Sequence, residues 1–524
     1  MSTSQYTDVL AAHDNEEPPR RPGGWLVIAG AAALVLALVA GVTYGFRLLS
    51  GGGTQPEEAL PAGAFAFAEI DLDPSVDQKV DGFRFLRQFP ALADKLSGDD
   101  LRKIVFEAVA DDAGWGDIDY AAEVEPWLGQ RLAVAAYPAS RFGSGSSQGD
   151  GEAAVPTVVV ALQVTDAGRA QDGLELLAKS ASDGSDGSAG SAGYLVAGDY
   201  ALIAETPEIA QRVVDAAGEE ALTGTEHFTA DMSGLDGGFA SAWIDMSAAG
   251  GAAGLMNPLS LGAVGSLAGV TTAAGSTGRA AYVARFDGAD AIEVAGRFTD
   301  AEALDGVETA TLTGLGELPA STIAAFGLAG GDQLVAPMWD SLRKQMDAAG
   351  SDFDKAEAEA EQSLGMKLPE DLEAVLGSNL LAALDADGLT EGRVEVGVLT
   401  TTDPDRAAPI IDRMARLLQE GEPGVRAELT EDGYVVASSG SMLRRLTAGG
   451  TLGDIEAFRR ALPDADDARM ALWLDVEPLV QSLTGAFDGS AEVDPNLAPL
   501  AGFGMTVSTQ DGGSGEFRLR LVTN

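Results

Sequence analysis

Gly193-Tyr194-Leu195-Val196-Ala197 and Gly433-Tyr434-Val435-Val436-Ala437 read as one strand written twice. The same holds for Trp243-Ile244-Asp245 and Trp473-Leu474-Asp475. Three more matches lie outward from these. Leu60-Pro61-Ala62 answers to Leu318-Pro319-Ala320, and Trp127-Leu128-Gly129 to Val375-Leu376-Gly377. Thr165-Asp166 followed by Arg169-Ala170 answers to Thr402-Asp403 followed by Arg406-Ala407. All five fall in the same order, at offsets between 258 and 230 residues. Insertions in the first copy account for the drift. Internal repetition decides the fold before any single element does, so the chain is read as two homologous units, residues 60–305 and 306–524.

Each unit alternates strand and helix patterns. Ala64–Ile70, Leu132–Ala136, Thr157–Val164, Leu195–Ala204, Phe239–Ile244, Ala280–Phe286 and Ala291–Phe298 have strand texture in the first unit. Ile323–Leu328, Leu380–Leu384, Val394–Leu399, Tyr434–Ala437, Ala471–Leu474, Phe503–Ser508 and Glu516–Val522 follow in the second. Asp287-Gly288 and Asp511-Gly512-Gly513 close the last hairpin of each. Helix starts are marked by Asp166, Thr206-Pro207 and Asp403-Pro404, and Gln333–Gly365 reads as one long helical region. The expected class is α+β, with a mainly antiparallel sheet in each unit. Gly143–Glu152 and Ser182–Gly193 read as surface loops, and the uncharged Met246–Ser276 as a glycine-rich loop with a short helix.

Trp25–Phe46 lies in an uncharged stretch between Arg21 and Arg47. About 20 apolar residues suffice to span a bilayer core, so 25–46 is expected to be a transmembrane helix. It is longer than a signal-peptide core and ends in a poor cleavage site. Arg20 and Arg21 place the N-terminus inside the cell. The expected layout is then a disordered cytoplasmic tail (1–24), the anchor, a Gly-rich linker (47–59) and an ectodomain outside the cell membrane.

Composition removes many chemistries. The 524 residues include 81 acidic and 33 basic side chains, a formal charge of −48, no cysteine and two histidines. Thiol nucleophiles, disulfides and thiolate zinc sites are excluded. A polyanion is repelled, so nucleic acid is not an expected partner. No Gly-Lys-Ser/Thr phosphate loop occurs.

Asp71 and Asp73 share one face of an extended segment, a spacing that suits paired-carboxylate catalysis. Asp73-Pro74 also suits a helix start, and that reading is preferred. Asp245 and Asp475 fall at matching strand ends, where a carboxylate satisfies free N–H groups. Ser341-Leu342-Arg343-Lys344 has the letters of a Ser-x-x-Lys nucleophile without its companion motifs. Asp385-Ala386-Asp387-Gly388 is half a calcium loop at most and reads as a turn. His227 reads as a surface side chain. No catalytic, cofactor or metal residue is assigned, and no cofactor is expected.

Leu60-Pro61-Ala62-Gly63-Ala64, then Glu69-Ile70-Asp71-Leu72-Asp73-Pro74-Ser75, then Phe83-Arg84-Phe85-Leu86-Arg87-Gln88-Phe89-Pro90 carry a resemblance. Together with the tail, anchor and linker, this segment resembles a family of actinobacterial membrane-anchored proteins known only as a domain of unknown function. The resemblance runs through nearly the whole ectodomain. It implies an envelope setting and brings no activity with it. The expected function is non-enzymatic: a tethered ectodomain that binds an envelope protein, glycan or lipid, or is structural there. A carboxylate hydrolase of envelope glycan, using Asp71 and Asp73, and a lipid carrier are the alternatives.

Overall fold

The computed structural model describes residues 54–90, 118–143, 156–183, 193–235, 237–249, 278–304, 306–348, 350–386, 395–421, 424–478 and 497–524, with a few residues between 102 and 115. Sixteen strands form one sheet. The first eight are β1 (Ala66–Asp71), β2 (Leu128–Tyr137), β3 (Thr157–Val164), β4 (Gly193–Ala197), β5 (Tyr200–Ala204), β6 (Ala240–Asp245), β7 (Arg279–Phe286) and β8 (Ala291–Thr299). The second eight are β9 (Thr322–Ala329), β10 (Asn379–Asp385), β11 (Glu395–Thr401), β12 (Arg426–Thr430), β13 (Gly433–Ala437), β14 (Met470–Asp475), β15 (Leu500–Gln510) and β16 (Ser514–Thr523).

The order across the sheet is β12-β13-β11-β10-β9-β14-β15-β16-β8-β7-β6-β1-β2-β3-β5-β4. Read inward from either end, each strand meets its counterpart eight places away in the chain. The two halves join where β8 pairs with β16, antiparallel, from Phe298↔Gly515 to Ala291↔Val522. The expectation of a separate sheet in each unit is therefore corrected to one large antiparallel sheet. Pairing β8 with β16 satisfies two rows of backbone groups that separate sheets would leave as open edges.

The expected transmembrane helix is corrected as well. Among the described residues no helix is long and apolar enough to cross a membrane. The two longest, Gly331–Ala348 and Pro404–Gly421, carry charges along their length. Residues 1–24 and 25–46 lie outside the described residues, as do most of Gly143–Glu152, Ser182–Gly193 and Met246–Ser276.

Smaller differences have local causes. Leu195–Ala204 is a hairpin of β4 and β5, because Gly198 at φ 59° turns the chain between them. Gln333–Gly365 is two helices, Gly331–Ala348 and Phe353–Leu364, the second capped by Asp352 accepting from the Lys355 N–H at 3.1 Å. Asp166, Thr206 and Asp403 each accept from N–H groups at the start of their helices, as expected.

Alternation along the strands drives helices onto both faces. One face carries Phe67, Trp243 and Phe228 in the first half, and Trp473, Phe458 and Leu381 in the second. The other face carries helices Val76–Leu86 and Ala167–Asp183 in the first half and Pro404–Gly421 in the second. At the seam the halves share a core. Ala280, Phe298 and Ala301 pack with Met505, Val507, Phe517 and Leu519. Gly296 makes room here, because a Cβ on it would sit 2.4 Å from the Phe517 ring. Opposite that core, Glu293 is 2% exposed. It accepts from Arg285 Nη2 at 2.5 Å and Arg520 Nη1 at 2.6 Å, with Arg518 Nε at 3.4 Å.

Candidate functional site

The richest set of ionisable groups sits where β1 meets β2 and β6. Residues Glu69 and Asp71 alternate with apolar ones, so both carboxylates share a face. Asp71 lies opposite Arg131 in the ladder, and Arg131 Nε donates to its Oδ2 at 3.0 Å. Its Oδ1 accepts from the Asp73 N–H at 2.7 Å. Asp73 pairs with Lys79. It caps no helix: the following helix has Ser75 at its N-cap. The structure thus brings Asp71 and Asp73 together, but binds each to its own cation. The helix-start role expected of Asp73 is replaced by this ion pair.

Two carboxyls missed in the sequence complete the cluster. Glu69 accepts from Ser241 Oγ at 2.9 Å across the β1–β6 ladder. Glu57 comes from the helical turn Pro56–Ala59, at the end of the Gly-rich linker. Its Oε2 is buried with no hydrogen-bond partner. Burial pushes the Glu69 carboxyl up to about 7, and the charges of Glu57 and Asp71 push the same way against Arg131. Burial raises Glu57 too, against a hydrogen bond from its own backbone N–H, with Glu58 adding to the rise and Arg131 opposing it. Glu69 therefore keeps its proton up to near neutral pH. A proton held there suits acid–base work, though Arg131 and Asp71 already satisfy each other. Nothing in the spacing of Glu57 and Glu69, in a chain so rich in acids, marks them as neighbours.

The remaining candidates are structural in their contacts. Asp245 Oδ1 accepts from the N–H groups of Ser247 and Ala248, both at 3.0 Å. Asp475 accepts from the backbone N–H of Glu477; burial, aided by the Glu477 charge, lifts it to about 6. Ser341 and Lys344 lie on helix Gly331–Ala348, and Lys344 pairs with Glu302 at 3.2 Å. His227 is exposed. Asp385 is fully buried, accepts from Ser321 Oγ at 2.7 Å and pairs with Arg445 at 3.3 Å. Asp387, Gly388 and His13 lie outside the described residues. So does Gly145-Ser146-Ser147-Gln148-Gly149, whose letters match a nucleophile elbow that the sequence reading missed.

The second half has its own polar corner. Glu395 accepts from Ser439 and Ser441 at 3.0 and 3.1 Å and from Arg445. Burial works to raise its carboxyl, and these donors together win, holding it below the usual range. Among the described residues no group of three His, Cys, Asp or Glu side chains could hold a metal ion.

Comparison with known proteins adds a family but no activity. Neither a curated protein nor a solved structure matches the chain. A family model described as "Protein of unknown function (DUF3352)" matches residues 26–408, from before β1 into the helix after β11. That is well over half of the sequence, and the chain belongs to this family.

Proposed function

We propose that the protein is a non-enzymatic component of the cell envelope, lying outside the cell membrane and binding or scaffolding an envelope protein, glycan or lipid. One observation carries the reading. The carboxylates paired in the sequence, Asp71 and Asp73, are spent on ion pairs with Arg131 and Lys79, in a sheet made of two copies of one strand order. A duplicated sheet offers two similar surfaces at fixed separation, which suits bridging or scaffolding. The acidic surface keeps such a protein soluble at high local concentration. The glycan hydrolase alternative loses support, because Asp71 and Asp73 each face a cation instead of a shared cleft.

Crosslinking in intact cells, followed by native mass spectrometry of the full chain, tests this. The expected result is a reproducible partner or bound mass, with the sheet-bearing part cleaved by protease added outside the cells. Turnover of envelope glycan that Asp71→Asn abolishes while the fold persists would sink the reading.

A further inference from the structure

The first described residues are fastened to the sheet. Thr54 Oγ1 donates to Asp199 Oδ2 at 2.9 Å, and the Thr54 carbonyl accepts from Tyr200 Oη at 2.8 Å. Pro56 is buried, and the turn Pro56–Ala59 packs over β2, β3 and the helix Pro207–Glu219. Glu57 is the charged member of this contact. A carboxylate oxygen removed from water without a partner is costly unless a proton neutralises it or a cation faces it.

Five polar groups act on the Glu57–Glu69 pair. They are Glu58 on the same turn, Asp71 on β1, Arg131 on β2 and Tyr200 on β5, with the Ser241 hydroxyl on β6. Arg131 is the cation among these groups, and Asp71 holds it at 3.0 Å. With Glu57, Glu69 and Asp71 all ionised, one guanidinium faces three carboxylates. The turn carrying Glu57 is four residues long. Behind it the chain is clamped more firmly: the Leu60 carbonyl accepts from the Leu222 N–H at 2.8 Å, and the Ala62 N–H donates to the Glu220 carbonyl at 2.9 Å.

We propose that residues 54–59 form a pH-sensitive latch, docked on the sheet while the Glu57–Glu69 pair shares a proton and released when both carboxyls ionise. The direction follows from the chemistry of the pair. Burial raises both carboxyls, and the Glu57 charge adds to the rise of Glu69, which reaches about 7. The proton is therefore kept in mildly acidic surroundings and lost above neutrality. Release stops at Leu60, whose side chain is fully buried. Freed, the segment adds roughly 20 Å of reach between the sheet and the preceding chain.

Hydrogen exchange of the full chain, corrected for intrinsic rates, reads this directly. Between about pH 5.5 and about pH 8.5, protection of amides in 54–59 should fall on the order of tenfold, while Leu222 and Ala62 stay protected. The double variant Glu57→Gln/Glu69→Gln should keep the segment docked at both pH values. Equal wild-type protection at the two pH values, or an unchanged loss in the double variant, overturns the proposal. Should the double variant lose its circular dichroism spectrum, Glu57→Gln alone decides: an unchanged pH midpoint overturns it.

Discussion

Trp243 and Trp473 occupy the same place in the two halves of the sheet, but their neighbours differ: Phe67 and Ala281 flank the first in the ladder, Ala325 and Gly504 the second. Each meets a phenylalanine edge-on at 5.5 Å, Phe228 in the first half and Phe458 in the second. Three residues further along each helix, the first half has Asp231 and the second has Ala461. Asp231 is 4% exposed and accepts from Trp243 Nε1 at 2.9 Å and Arg279 Nε at 2.8 Å. Trp473 Nε1 is buried with no hydrogen-bond partner. Duplication has kept the strand order and the tryptophan–phenylalanine contact and let the polar wiring around them diverge. Apolar packing tolerates little change of volume, whereas hydrogen-bonded groups can be exchanged in sets.

The seam gives the largest expected contrast. Ladder partners counted out from the tryptophans run Trp243–Ala281–Arg297 and Trp473–Gly504–Arg520. Glu293 and Glu516, each four residues earlier, are therefore equivalent. Across the seam each faces the other half's arginine, Glu293 opposite Arg520 and Glu516 opposite Arg297. Yet Glu293 is buried among three arginines and Glu516 is exposed. Glu293→Ala should cost about 3–5 kcal/mol, the usual result of stripping the partner from buried charges. Glu516→Ala should stay within about 0.5 kcal/mol. Urea denaturation of both variants checks this, and equal losses would mean that the seam is held by its apolar face alone.

The tryptophans come next. Trp243→Phe and Trp473→Phe remove similar volume, but only the first strips a partner from Asp231. The first should cost about 1–2 kcal/mol more than the second, the worth of a hydrogen bond to a charged group. The same denaturation series reads the difference, and equal costs would break the comparison.

How much of this could be read from the sequence depends on which residues carry it. Repeated letters around Trp243 and Trp473 exposed the duplication, because buried aromatic positions change slowly in shape. Hairpin turns at Asp287-Gly288 and Asp511-Gly512-Gly513 were legible from glycine alone. β12 was not, since Arg426–Thr430 is a short, mostly exposed edge strand whose only apolar residues are Ala427 and Leu429. The β8–β16 pairing was not either: a strand pattern shows which face is buried but not which edge finds a partner. Asp71 and Asp73 drew attention because they are close in sequence. Glu57 and Glu69 did not, because only folding of the turn onto β2 and β3 brings them together.

Acidity separates the halves in a last, smaller way. Folding raises Glu69 from 4.5 to about 7 and Asp475 from 3.8 to about 6. In both cases the folded state binds more protons than the unfolded one across the window. Each contribution is therefore fully present below the unfolded value and fades as pH rises through the folded one. Both groups are half-buried, so solvent screening reduces the effect to about 1–2 kcal/mol in all. Glu69→Gln should flatten the stability profile between about pH 4.5 and 7, and Asp475→Asn between about pH 4 and 6, so that only Glu69 acts above pH 6. Denaturation midpoints across that range check the division. A profile left unchanged by Asp475→Asn would mean that its strand-end environment is as wet in the folded chain as in the unfolded one. The pH response would then belong to the first half alone, where the Glu57 turn lies over the sheet.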